Sequence, residues 1–191
     1  MDRTDLQKFE QPLFAYSDVE RTLAHIFRVD AERQRGALRA RLKHFQRLGL
    51  PGLAPGKGKP LLYSRELAAM WLMALVLAET GLDPAIIVKS IKDNWKNLTP
   101  WVRKATEYRA QTESPVFLVA RPRAMSGAWQ GGPVSLELDM FERYSSVAAP
   151  RRADYALEEV NKAQDWSGWV SLINFTPLAM QLVTLLPLRR A

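Results

Sequence analysis

Residues 36–52 read GALRARLKHFQRLGLPG. Leu38, Leu42, Phe45 and Leu48 recur at steps of three and four, so on a helix they share one side and form a buried face. Arg35, Arg39 and Lys43, spaced by four, line up on another side, flanked by Arg41, His44 and Arg47. Gly49 and Pro51 close the pattern, because glycine accepts the backbone that follows a helix and proline cannot continue one. The spacing predicts a helix from about Arg35 to Leu48 with an apolar anchor and a basic face. The next residues, 52–60, read GLAPGKGKP. Their glycines and prolines exclude regular helix and predict a loop or hairpin carrying Lys57 and Lys59.

The charge of the whole chain is concentrated here. The 191 residues have a formal net charge of +7 and a pI of about 9.9. The basic residues Arg33, Arg35, Arg39, Arg41, Lys43, Arg47, Lys57 and Lys59 follow one another without an intervening Asp or Glu, and no acid appears before Glu66. These eight exceed the net charge, so the remainder is nearly neutral. A merely solvated helix ordinarily mixes signs for pairing four residues apart. A one-sign run instead points to a polyanionic partner. On a helix, arginine can donate two hydrogen bonds to guanine in the major groove, while other cations meet phosphates. A glycine-rich lysine hairpin can approach the backbone closely because it lacks side-chain bulk.

Working outward, residues 1–13 predict a flexible arm. YSDVERTLAHIF (16–27) predicts a helix, with Ser17 as N-cap and Glu20 completing a capping box. RVDAERQRGA forms a long connector to the basic helix. LLY (61–63) predicts a short strand, and Ser64 caps the strongly apolar helix that ends at Gly81. Asp83 and Pro84 begin another helix, which Pro100 is expected to end; residues 100–111 predict a further one. Composition then changes. PVFLVARP (115–122) and PVSLELDMF (133–141) predict an antiparallel hairpin, residues 153–164 a helix, GWVSLINF (168–175) a third strand, and TPLAMQLVTLLP a terminal helix capped by Thr176. The fold class expected is α+β: a mostly helical winged helix-turn-helix at 14–112, then a small α+β domain at 113–191.

Helix, turn, basic helix, basic hairpin and helix follow the order of a winged helix-turn-helix. YSDVERTL, then LRARLKHFQRLGL, a Gly/Lys wing, and LLYSRELAAMWLMALVLAETGLDPAIIVKSI resemble the DNA-binding domain of MerR-like regulators. The resemblance covers about residues 14–95. FQRLGLP is similar to the turn that closes the family's recognition helix, Tyr63 to the aromatic residue through which the wing returns, and Glu79 with Gly81 to the turn before a short helix bearing Ile86 and Ile87. It implies that the recognition helix and wing contact operator DNA. The chain departs from the family in its longer connector between the first two helices and in lacking the long dimerisation helix.

The function expected is a sequence-specific transcription regulator that binds double-stranded DNA through Arg33, Arg35, Arg39, Arg41, Lys43, His44, Arg47, Lys57 and Lys59. A homodimer is expected, because symmetric half-sites multiply the affinity of one small module. Residues 113–191 would supply dimerisation or bind an effector. Two alternatives share the basic run: an accessory factor in recombination, partition or nucleoid organisation, and an interaction module for an acidic protein. The chain shows no nucleotide loop, nucleophile elbow or metalloprotease helix, and neither an enzyme nor a cofactor is expected. Its lack of cysteine excludes disulfides and thiolate metal sites and suits a reducing compartment. A cytoplasmic, nucleoid-associated protein is expected, since the N-terminus has no apolar signal region. Residues 67–78 are too short to span a bilayer, and the uncharged stretch 166–188 is interrupted by Asn174, Thr176, Pro177, Gln181 and Thr184.

Overall fold

The computed structural model describes residues 13–29, 32–52, 62–108, 115–122, 136–142 and 171–186. The architecture is α+β. Its helices are α1 (Tyr16–Ile26), α2 (Glu32–Arg47), α3 (Arg65–Glu79), α4 (Pro84–Thr106) and α5 (Phe175–Leu185); its strands are β1 (Phe14–Ala15), β2 (Leu62–Tyr63), β3 (Val116–Pro122), β4 (Leu136–Glu142) and β5 (Ser171–Asn174). The expected arm residues 1–12, most of the expected wing (53–60) and the expected helix at 153–164 lie outside the described residues.

The short strands β1 and β2 pair antiparallel, Phe14 opposite Tyr63 and Ala15 opposite Leu62. Both Phe14 and Tyr63 are buried. That pairing shifts the start of α1. Helix begins at Tyr16, and the amide of Ala15 donates to Asp18 Oδ2 at 3.3 Å. Ser17 is therefore not the N-cap, and Glu20 is free of capping duty. After Phe27 the chain turns through Arg28 at φ 54°, and the Val29 amide donates to the Ala24 carbonyl at 2.8 Å. Helix α2 resumes at Glu32, a turn earlier than the apolar spacing marks. The connector is correspondingly shorter than its sequence suggests.

Helix α3 is the centre of the molecule. Ser64 Oγ accepts from the Leu67 amide, and every residue from Ala68 to Leu77 is buried, which suits a run with no polar face. Asp83 caps α4 through the amides of Ala85 and Ile86, with Pro84 in the first turn. Pro100 does not end α4, which continues to Thr106. Proline there removes one backbone hydrogen bond to the carbonyl of residue 96. Lys96 and Pro100 both face solvent, where water can take that carbonyl, while Leu98, Val102 and Ala105 carry the buried stripe onward.

The larger sheet has the order β4-β3-β5, antiparallel throughout. Val116, Leu118 and Ala120 of β3 turn to the core, with Met140 opposite Leu118 and Leu138 opposite Ala120. The expected hairpin and third strand are thus present. The sheet and α5 pack against α4, and α5 also meets α1 and α3. Thr176 does not cap α5; it is buried, and its Oγ1 accepts from the Val116 amide at 2.7 Å, tying helix to sheet. One apolar cluster includes Trp71 and Leu77 of α3, Leu98 and Val102 of α4, Leu118 of β3 and Phe175 and Leu182 of α5. The stretches on either side of residue 112 share this core. No helix among the described residues is long and apolar enough to cross a membrane.

Candidate nucleic-acid interface

Helix α2 is seated by Leu38, Leu42 and Phe45, with Leu50 just beyond its end, all buried. Polar contacts then fix it on both flanks. On one side Arg39 meets Glu20 of α1: Nε lies 3.0 and 3.1 Å from the two carboxylate oxygens and Nη2 2.6 Å from Oε1. The Glu20 side chain is only 11% exposed, whereas that of Arg39 is 53% exposed. On the other side Arg41 Nη1 lies 3.0 Å from Glu79 Oε1 at the end of α3, with both groups exposed. Farther along, Gln46 Nε2 donates to the Tyr63 hydroxyl at 3.2 Å.

The sequence-selected cations are thereby sorted. Arg39 and Arg41 brace α2 against its neighbours. Arg35, Lys43, His44 and Arg47 are exposed and make no ion pair or side-chain hydrogen bond among the described residues. At 100° per residue, Lys43, His44 and Arg47 lie with Gly36 and Ala40 on the side opposite Leu38, Leu42 and Phe45. A Cβ at Gly36 would meet nothing within 4 Å. The outward face is open at Gly36 and Ala40, carries the exposed acid Glu32 at its start, and is basic at its C-terminal half. The side chain of Arg33, and Lys57 and Lys59, lie outside the described residues.

An aromatic group supports α2's neighbours. Tyr16, Tyr63 and Trp71 pack with centroid separations of 6.3 Å (Tyr16–Tyr63), 5.7 Å (Tyr16–Trp71) and 5.6 Å (Tyr63–Trp71), the last two edge-to-face. Trp71 acts as the packing residue its apolar surroundings suggest. The Tyr16 hydroxyl is buried beside the Glu20 carboxylate, and Trp71 Nε1 is buried without a hydrogen-bond partner among the described residues. Burial, with the Glu20 charge adding to it, pushes the Tyr16 phenol up to about 12. Burial also raises that of Tyr63.

Two residues have contacts that local spacing does not signal. Glu20 has capping-box spacing, yet it sits beside Val19 and three before Leu23, on the edge of the buried stripe of α1. A carboxylate placed there needs a cationic partner. Lys92 of α4 has no local signal. It reaches the turn after α2, where a Cβ on Gly49 would stand 3.1 Å from its Nζ. Among the described residues, no group of three or more His, Asp or Glu is placed to hold a metal ion. Compared with known proteins, the chain matches no family model and no curated protein.

Proposed function

We propose that the protein is a sequence-specific regulator of transcription that binds double-stranded DNA through the outward face of α2. The observation that carries this is the sorting of charge on one helix. Its flanking arginines are occupied by acids of α1 and α3, while Lys43, His44 and Arg47 project together, exposed and unpaired among the described residues. A helix held rigidly from behind and on both flanks, with a basic outer face, has the form needed to enter a major groove. Lys43 and Arg47, one turn apart, are the base-edge and phosphate contacts in this reading, with His44 beside them and Arg35 meeting a phosphate nearer the helix start. Arg33, Lys57 and Lys59 would add backbone contacts, as the MerR-like order of elements implies. Arg39 and Arg41 contribute first by fixing the angle of the helix.

A homodimer, binding symmetric half-sites from the cytoplasm and associated with the nucleoid, completes the proposal. The test is selection from a randomised duplex library by the purified full chain at near-physiological salt. An enriched motif, repeated or palindromic, is expected, and Lys43→Ala with Arg47→Ala should erase the enrichment. Salt-sensitive binding without any enriched motif would favour a nucleoid or recombination accessory factor. Absence of DNA binding, with capture of an acidic protein instead, would overturn the DNA reading.

A further inference from the structure

We infer that the DNA-contacting surface does not stop at α2 but crosses the Gly49 turn onto α4, where Lys92 and Lys96 hold the phosphates flanking the base pairs that α2 covers. This rests on the proposed function and extends it to a second element.

The placement of α4 carries the inference. Its cations Lys89, Lys92 and Lys96 fall on one face together with Asp93, away from Ile87 and Ile91, which are buried. All three lysines are exposed. Lys92 Nζ lies against the Gly49 turn, so this face abuts the C-terminal, basic half of α2. The only acid of α4 is Asp93, and it is already paired with Lys89. Lys92 and Lys96 make no ion pair among the described residues. Four residues of helix advance about 6 Å. Each DNA strand carries one phosphate per about 3.4 Å of duplex axis, so two lysines spaced this way can each meet a phosphate of a single backbone. On the other flank of α2, Glu79 is paired with Arg41. With Asp93 and Glu79 each paired, Lys43, Arg47, Lys92 and Lys96 carry the net charge of the combined face.

Lys92 also has a local role open to it, as a cation over the C-terminal carbonyls of α2. The experiment separates the two. The full chain and its Lys92→Gln/Lys96→Gln variant are titrated with salt against a fluorescent mixed-sequence duplex, with Arg21→Gln on α1 as control and thermal unfolding measured for each. The inference predicts that the double variant flattens the slope of log affinity against log salt by roughly 2, about 0.9 per lost phosphate contact. It should leave sequence preference and the unfolding midpoint unchanged, and Arg21→Gln should behave as the native chain. A double variant with the native slope, beside a flattened slope for Lys43→Gln/Arg47→Gln, overturns the α4 contact and leaves the α2 reading intact. So does a lowered midpoint for Lys92→Gln with no effect of Lys96→Gln on the slope, which would make Lys92 a helix cap alone. A native chain with no salt-dependent DNA binding overturns the function and the inference together.

Discussion

Arg39 and Arg41 are two residues apart and chemically identical, yet the structure gives them unequal weight. Arg39 neutralises a carboxylate that is mostly out of water; Arg41 neutralises one that is mostly in it. An exposed pair contributes only about 0–1 kcal/mol, whereas removing the partner of a buried acid leaves its desolvation uncompensated. Arg39→Ala is expected to lower the urea midpoint clearly more than Arg41→Ala, and Glu20→Leu/Arg39→Leu to recover much of the loss; equal small losses for both single variants would remove the bracing role. Tyr16 offers a second test at this scale. Its folded pKa, about 12, lies above the ordinary 10. Below pH 10 both folded and unfolded chains hold the proton and the contribution is fully present. Between pH 10 and 12 the unfolded chain releases it first, so stability falls as pH rises. In a spectrophotometric titration Tyr16 should ionise late, and Tyr16→Phe should abolish that late step and lessen the alkaline loss. At neutral pH that variant should be close to the native chain in stability, because the cost of burying the hydroxyl offsets what it gains from Glu20.

Among the elements, α2, the reading helix of the proposed function, depends on its seat. Leu42 is fully buried beneath its middle. Leu42→Ala should cost about 2–5 kcal/mol, measured by urea unfolding, and should weaken DNA binding near the unfolding midpoint while leaving the selected motif unchanged. A changed motif at temperatures where the variant is fully folded would mean that the seat itself sets specificity. Helix α4 shows how periodicity and local breakers compete. Pro100 is a breaker by its chemistry, but it costs one hydrogen bond at the surface, and the buried stripe through Leu98, Val102 and Ala105 outweighs that loss.

At the scale of the whole molecule, the sheet and α5 complete the core that α3 and α4 begin. The chain should accordingly unfold in a single transition, with coincident far-ultraviolet dichroism and tryptophan fluorescence. A truncation at residue 112 strips Leu98, Val102 and the α3 face of their cover by β3 and α5, so it should lose cooperative unfolding and gain exposed apolar surface that binds a hydrophobic dye. Two separate transitions in the full chain, or a native-like truncated chain, would show instead that the first 112 residues fold independently.

Local spacing, backbone chemistry and unbroken charge suffice for the α+β class, the caps of α3 and α4 at Ser64 and Asp83, the antiparallel pairing of β3 with β4, and the basic run on α2. Tertiary structure moved the N-cap of α1 from Ser17 to Ala15, since Phe14 pairs with Tyr63 from across the chain. It alone gave Glu20 to Arg39, carried α4 through Pro100 and set Lys92 beside Gly49. Those outcomes depend on which distant surface each residue meets, and a contact between residues far apart in sequence leaves no period to read.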